Sequence, residues 1–298
     1  MKHYISSVFG IAMMTLSMSS CADGSNEPDF SYISDGKVAM EFTFSHPSQS
    51  RVTDTSFEQG DVVGLYVSEA ERPMEISGNT VNNEGLTYSG SAWQPSHPLY
   101  WDAGRYDVLA YYPRLGEIES MTDQPFEVKT DQRLDVASPE MGGYEASDFL
   151  YAFAHDVAAS ANPVNLQFRH IMSKLSIRLI KGEDFEGELP ATATVYIHNT
   201  VTSATVDLNV GVVTKLLRGS RNTITARQDG PTTYSAILVP QRIESRMPLI
   251  EVIMNGVSFL YESRFVFRPG IHHIVSLIVN KNPEQIKIEI GGEITDWN

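Results

Sequence analysis

The sequence predicts an all-β protein, and three observations carry that expectation. Apolar residues recur with a period of two along many short segments, turn residues return about every 8–15 positions, and no long stretch has the spacing of an amphipathic helix. Chains with this pattern fold as β-sandwiches. Roughly 270 residues follow an apolar N-terminal leader, a length that suits two domains of ordinary size.

The leader comes first. Met1-Lys2-His3 is a short cationic start, and the apolar stretch from Val8 to Met18 contains Phe9, Ile11, Met13, Met14 and Leu16. A permanent membrane helix needs about 20 apolar residues, so this stretch predicts a signal peptide over residues 1–20 instead. It ends in Met18-Ser19-Ser20-Cys21, which resembles a bacterial lipobox: a bulky apolar residue, two small ones, then cysteine. Cleavage there would make Cys21 the new N-terminus and the bearer of acyl chains. Cys21 is the single cysteine of 298 residues, which excludes a disulfide framework, a cysteine-rich zinc site and a Cys-x-x-Cys redox pair. The alternative is a lone buried cysteine behind an apolar leader. Residues 21–36 hold Asp23, Glu27 and Asp29 among Gly, Ser, Asn and Pro, and read as a solvated tether.

Strands follow. Lys37 to Ser45 alternates cleanly, with Val38, Met40, Phe42 and Phe44 on one face and Lys37, Ala39, Glu41, Thr43 and Ser45 on the other. Val62 to Val67 follows a Gly60-Asp61 turn. Asp107 to Tyr112 is almost continuously apolar and stops at Pro113, the pattern of a strand buried on both faces. In the second half, Leu166, Phe168, Leu175, Ile177 and Leu179 bracket Arg169-His170. Further strands are expected at 194–198, 204–208, 234–239, 249–254, 258–267 and 271–279. Small residues and a proline at Ala158-Ala159-Ser160-Ala161-Asn162-Pro163 suggest a division into residues 37–162 and 163–298. Tyr106–Pro113 and Tyr234–Pro240 echo one another weakly, but no exact repeat exists.

Composition and motifs narrow the function. The net charge is −15, and loss of Lys2 with the leader makes it more acidic, which opposes binding to nucleic-acid phosphates. There is no Gly-x-Ser-x-Gly elbow, phosphate-binding glycine loop, His-Glu-x-x-His or calcium-loop spacing. His272 and His273 are adjacent, so on a strand they point to opposite faces and cannot chelate together. His170 and His155-Asp156 are isolated in sequence. No cofactor, no metal site and no catalytic residue is expected, and the chain does not read as an enzyme.

A series of phrases resembles the fimbrillin-like proteins, pilins and accessory subunits of protease-matured pili of anaerobic Gram-negative bacteria. They are Phe57-Glu58-Gln59-Gly60-Asp61-Val62-Val63-Gly64-Leu65-Tyr66-Val67, Tyr100-Trp101, Tyr106 to Pro113 and Ser147-Asp148-Phe149-Leu150. Phe168-Arg169-His170-Ile171-Met172-Ser173-Lys174-Leu175, Ser203-Ala204-Thr205-Val206-Asp207-Leu208 and Phe267-Arg268-Pro269-Gly270-Ile271-His272 complete the series. Each phrase is weak alone; their order behind a lipobox is more specific. The resemblance implies two tandem transthyretin-like β-sandwich domains, export to the outer membrane as a lipoprotein, and often cleavage after an arginine that follows the first strand.

Arg51 is the residue that matches, in the small polar loop His46 to Thr55, where proteases cut readily. It can equally be an ordinary surface arginine. Cutting there would release the lipid, the tether and the strand bearing Val38, Met40, Phe42 and Phe44. The vacated groove would then accept a strand from another subunit of the pilus. Ile286, Ile288 and Ile290 alternate with Lys287 and Glu289 and form the candidate donor, although the same segment reads as the last strand of the second domain, with Trp297 packed on it. The expected function is therefore a structural and adhesive pilus subunit, with tip, anchor and accessory positions open. The alternative is a surface glycan-binding lipoprotein using Trp93, Tyr100, Trp101, Tyr106, Tyr111 and Tyr112 as an aromatic platform, residues whose places within strands also suit core packing.

Overall fold

The computed structural model describes residues 37–47, 56–133, 141–282, 287–289 and 294–297. Cys21, Arg51, Ile286 and Ile290, with the leader and tether, lie outside the described residues. The fold is all-β, as the periodicity predicts; among the described residues the one helical turn is a 3₁₀ turn at Glu145–Ser147.

The N-terminal half is organised by one six-stranded antiparallel sheet. Its order is Arg169–His170, Leu150–Ala158, Arg105–Tyr112, Val62–Glu69, Val81–Tyr88, Trp93–Pro95. The apolar run Arg105–Tyr112 is central because it is apolar on both faces: Val108, Leu109, Ala110 and Tyr111 are all fully buried. Gly64 permits the close pairing beside it, since a Cβ there would lie 2.4 Å from the Tyr111 ring. The two faces serve different cores. Val63, Leu65, Val67, Val108, Ala110, Leu150 and Ala152 face the segment Val38 to Phe44. Tyr66, Leu109, Tyr111, Phe149 and Tyr151 join the core of the C-terminal half.

The C-terminal half packs two main sheets. One has the order Arg227–Gly230, Thr233–Leu238, Ser173–Lys181, Ile271–Val279, with both Lys287–Glu289 and Ile294–Asp296 paired to the far edge of Ile271–Val279. Ser173–Lys181 and Ile271–Val279 run parallel, from Ser173↔Ile271 to Lys181↔Val279. The other sheet has the order Arg221–Thr225, Thr194–Val201, Gln241–Met254, Val257–Phe267.

Two crossings between the halves were not visible in the sequence. Just after the small-residue stretch, Val164–Gln167 pairs in parallel with Phe42–Ser45, and Leu166 and Phe168 are buried in the same core as that strand. Conversely, Gln124–Glu127 pairs with Ser203–Asp207 in a three-stranded sheet completed by Val212–Lys215. The apolar core is therefore continuous from Tyr111 through Phe149 to the C-terminal sheets.

Two glutamine side chains finish ladders that the backbone leaves open. Gln132 is fully buried; its Oε1 accepts from Ile237 N at 2.8 Å and its Nε2 donates to Ile237 O at 2.8 Å. Gln241 does the same for Val201, at 2.9 and 3.0 Å. A buried polar group left without its partner costs about 1–3 kcal/mol. Gln132→Leu strands both Ile237 groups, so urea unfolding should show a loss of about 2–4 kcal/mol on that basis.

Candidate functional site

The site is the seat of the first strand. Its amphipathic face is laid down as the alternation requires: Val38, Met40 and Phe42 are buried, Phe44 is half-buried, and Lys37, Ala39, Glu41, Thr43 and Ser45 are exposed. The backbone, however, changes partner midway. Val38–Ala39 pairs antiparallel with Tyr100–Trp101, and Met40 N donates to Leu99 O at 3.0 Å. At Glu41 the chain crosses to the opposite bank: Glu41 O accepts from Val164 N at 2.8 Å. Phe42–Ser45 then runs parallel to Val164–Gln167, and Ser45 O accepts from Phe168 N at 3.0 Å. One segment thus satisfies backbone groups on two separate edges, each of which would otherwise be open to pairing.

The floor of the seat is aromatic. Phe42 packs against Trp101 with ring centroids 6.2 Å apart, and Phe44 against Trp93 at 5.0 Å and Phe168 at 5.5 Å. Phe57 closes the downstream end against Trp93, Tyr112 and Phe168. These contacts locate the residues considered as a sugar platform. Trp101, Tyr106, Tyr111 and Tyr112 are buried, Trp93 is half-buried beneath Phe44 and Phe57, and Tyr100 alone is exposed. Burial pushes the Tyr111 and Tyr112 hydroxyls well above the usual tyrosine range; they donate to Asn83 Oδ1 at 2.5 Å and Asp61 Oδ1 at 2.9 Å.

At the other end of the chain, Lys287–Glu289 is paired with Ser276–Ile278 of its own sheet, which places Ile288 opposite Leu277 in the register. Trp297 is buried. It is packed on His170, their rings 3.7 Å apart and nearly parallel.

The histidines have structural partners. His155 Nδ1 lies 3.2 Å from Asp107 Oδ1 and His170 Nδ1 lies 3.0 Å from Asp148 Oδ1. His272 Nε2 is 2.8 Å from Ser176 Oγ, whereas His273 Nε2 accepts from Arg268 N at 3.1 Å. Among the described residues no group of three or more His, Cys, Asp and Glu side chains is placed to hold a metal.

The sequence marked the first strand but missed both banks of its seat, Leu99–Trp101 and Val164–Phe168. The alternation of Val164, Leu166 and Phe168 was the available signal for the second bank.

The sequence of the chain matches the family described as Fimbrillin-like over residues 50–297. The "Putative fimbrium subunit Fim1C" of Bacteroides uniformis is 23% identical over 305 aligned positions, covering 96% of this chain and 92% of that protein. Two crystal structures share the fold. A "putative cell adhesion protein" of Bacteroides uniformis superimposes with a TM-score of 0.68 at 20% identity, covering 89% of this chain and 100% of its own. Another, from Bacteroides ovatus, gives 0.67 at 18% identity, covering 88% of this chain and 98% of its own.

Two measurements check this geometry. Phe42→Ala should lower the unfolding free energy by about 3 kcal/mol, and Glu41→Ala, on the exposed face, by less than about 0.5 kcal/mol. Burial, helped by the nearby Arg268 charge, lowers the His273 pKa to about 4, so the folded chain keeps the ring neutral as an acceptor. An unfolded histidine titrates near 6.5, so stability should fall as pH drops from about 6.5 to 4, by up to about 3 kcal/mol. His273→Gln should flatten that part of the stability–pH curve.

Proposed function

This chain belongs to the fimbrillin-like family, and we propose that it is a cell-surface fimbrium subunit that assembles by exchanging the strand seated at residues 37–45. The observation that carries the reading is the two-banked seat: a short segment, paired on a different edge at each end, covers an apolar face and leads within a few residues to Arg51. In this reading the leader directs export, Cys21 takes the lipid, and the protein reaches the outer membrane as a lipoprotein. Cleavage after Arg51 then removes the lipid together with Val38, Met40, Phe42 and Phe44.

The loss is large. Burying each of these side chains contributes about 1.5–3 kcal/mol, so about 6–12 kcal/mol gross. The stripped subunit keeps an apolar floor between the unpaired edges Leu99–Trp101 and Val164–Gln167, which a strand from another subunit can fill. The segment containing Ile286, Ile288 and Ile290 is the candidate donor. Its Lys287–Glu289 portion is held by its own sheet, so donation requires that pairing to open first, and a tip or anchor subunit need not donate at all. We also read the chain as two β-sandwiches, with the division shifted to Arg169–His170 because Val164–Phe168 belongs with the first. The role is mechanical and adhesive, with no cofactor or catalytic step. The buried positions of Trp101 and Tyr106 favour this over the glycan-binding reading.

N-terminal sequencing of the mature surface protein, with electrophoresis of unboiled samples in SDS, tests the proposal. Subunits beginning at Val52 within a ladder of oligomers are expected, and Arg51→Ala should abolish the ladder. Assembled fibres whose subunits still begin at Cys21 would overturn it.

A further inference from the structure

The first strand ends beside the chain's other terminus. His46 directly follows Phe42–Ser45, and its ring lies edge-on to His170 at 5.7 Å and to Phe57 at 5.0 Å. His170 is buried, has Asp148 Oδ2 at 2.9 Å from its Nδ1, and carries Trp297 stacked flat against its ring. Trp297 is itself 2% exposed; its backbone N donates to Gly270 O at 3.0 Å, and Lys174 Nζ lies 5.6 Å from its ring. His170 therefore contacts both the ring of His46, next to the first strand, and the ring of Trp297. The strand Ile294–Asp296, immediately before Trp297, pairs with the edge of Ile271–Val279 over three residues, from Ile271↔Asp296 to His273↔Ile294. So short a pairing depends on its flanking anchor.

We propose that His170 couples the two ends of the chain: the seated first strand, through His46, keeps the His170 ring pressed on Trp297, and loss of His46 frees the C-terminal strand. The consequence for assembly rests on the proposed removal of residues 37–51. Cleavage would then act twice, emptying the acceptor seat and loosening the C-terminal segment of the same subunit. An uncut subunit would hold both ends closed and could neither accept nor release a strand early. Asp148 is a positioning residue here, because it fixes the His170 ring plane on which Trp297 stacks.

The test is hydrogen exchange on the intact, uncut chain, read at residues 294–297. His46→Ala should speed exchange there about tenfold, and His46→Phe, which keeps a ring edge against His170, should restore the slow rate. Val38→Ala weakens the same strand away from His170 and should leave 294–297 unchanged. The inference is overturned if His46→Ala leaves 294–297 protected, if Val38→Ala has an equal effect, or if the acceleration extends to Arg105–Tyr112, which would be general loosening. Because every variant is read uncut, the result does not depend on whether Arg51 is cleaved or fibres form. A failure of strand exchange would show in the SDS ladder instead.

Discussion

A sheet that is apolar on both faces has to be covered twice, and the rest of this structure follows from how that is done. Arg105–Tyr112 and its neighbours present Val108 and Ala110 to one side and Leu109 and Tyr111 to the other. The C-terminal half covers one face through the continuous core that Leu109, Tyr111 and Phe149 join. The other face is covered by Val38 to Phe44 together with Val164 to Phe168. One of those two pieces sits near the start of the chain and hangs on short pairings.

That arrangement gives a physical meaning to the margin of stability. A gross burial of about 6–12 kcal/mol is comparable with the whole stability of a domain, about 5–15 kcal/mol. In the proposed mechanism, a subunit without its first strand is therefore not a slightly weakened monomer but a chain in need of a replacement. The two banks would make that need specific: the resident segment pairs antiparallel with Tyr100–Trp101 at one end and parallel with Val164–Gln167 at the other, and under the proposal a filler has to do the same. An extended segment with apolar side chains on alternate positions meets that demand, and random collapse does not.

Much of this was legible in the residues. The alternation from Val38 to Phe44 identified both the strand and its buried face, because period two fixes which side chains point inward. The unbroken apolar run to Tyr112 identified the central strand. Pairing partners were not legible, since alternation says which face is buried and nothing about which edge is adjacent. The pairing of Val164–Gln167 with Phe42–Ser45, and of Gln124–Glu127 with Ser203–Asp207, joins segments far apart in the chain. The stack of Trp297 on His170 joins positions more than a hundred residues apart, which no local pattern encodes. The partners of His155 and His170, Asp107 and Asp148, became visible only in the fold, and His273 is held neutral by burial that its sequence context does not announce.

The central claim is that residues 37–45 fill an exchangeable seat. It is tested most directly by cutting the purified chain after Arg51, separating the fragments, and titrating a synthetic peptide of residues 37–45 back by native mass spectrometry and calorimetry. The account predicts one peptide per subunit, loss of binding when Phe42 is replaced by aspartate in the peptide, and suppression of oligomers by the bound peptide. A cut chain that stays folded and monomeric and takes up no peptide would contradict it.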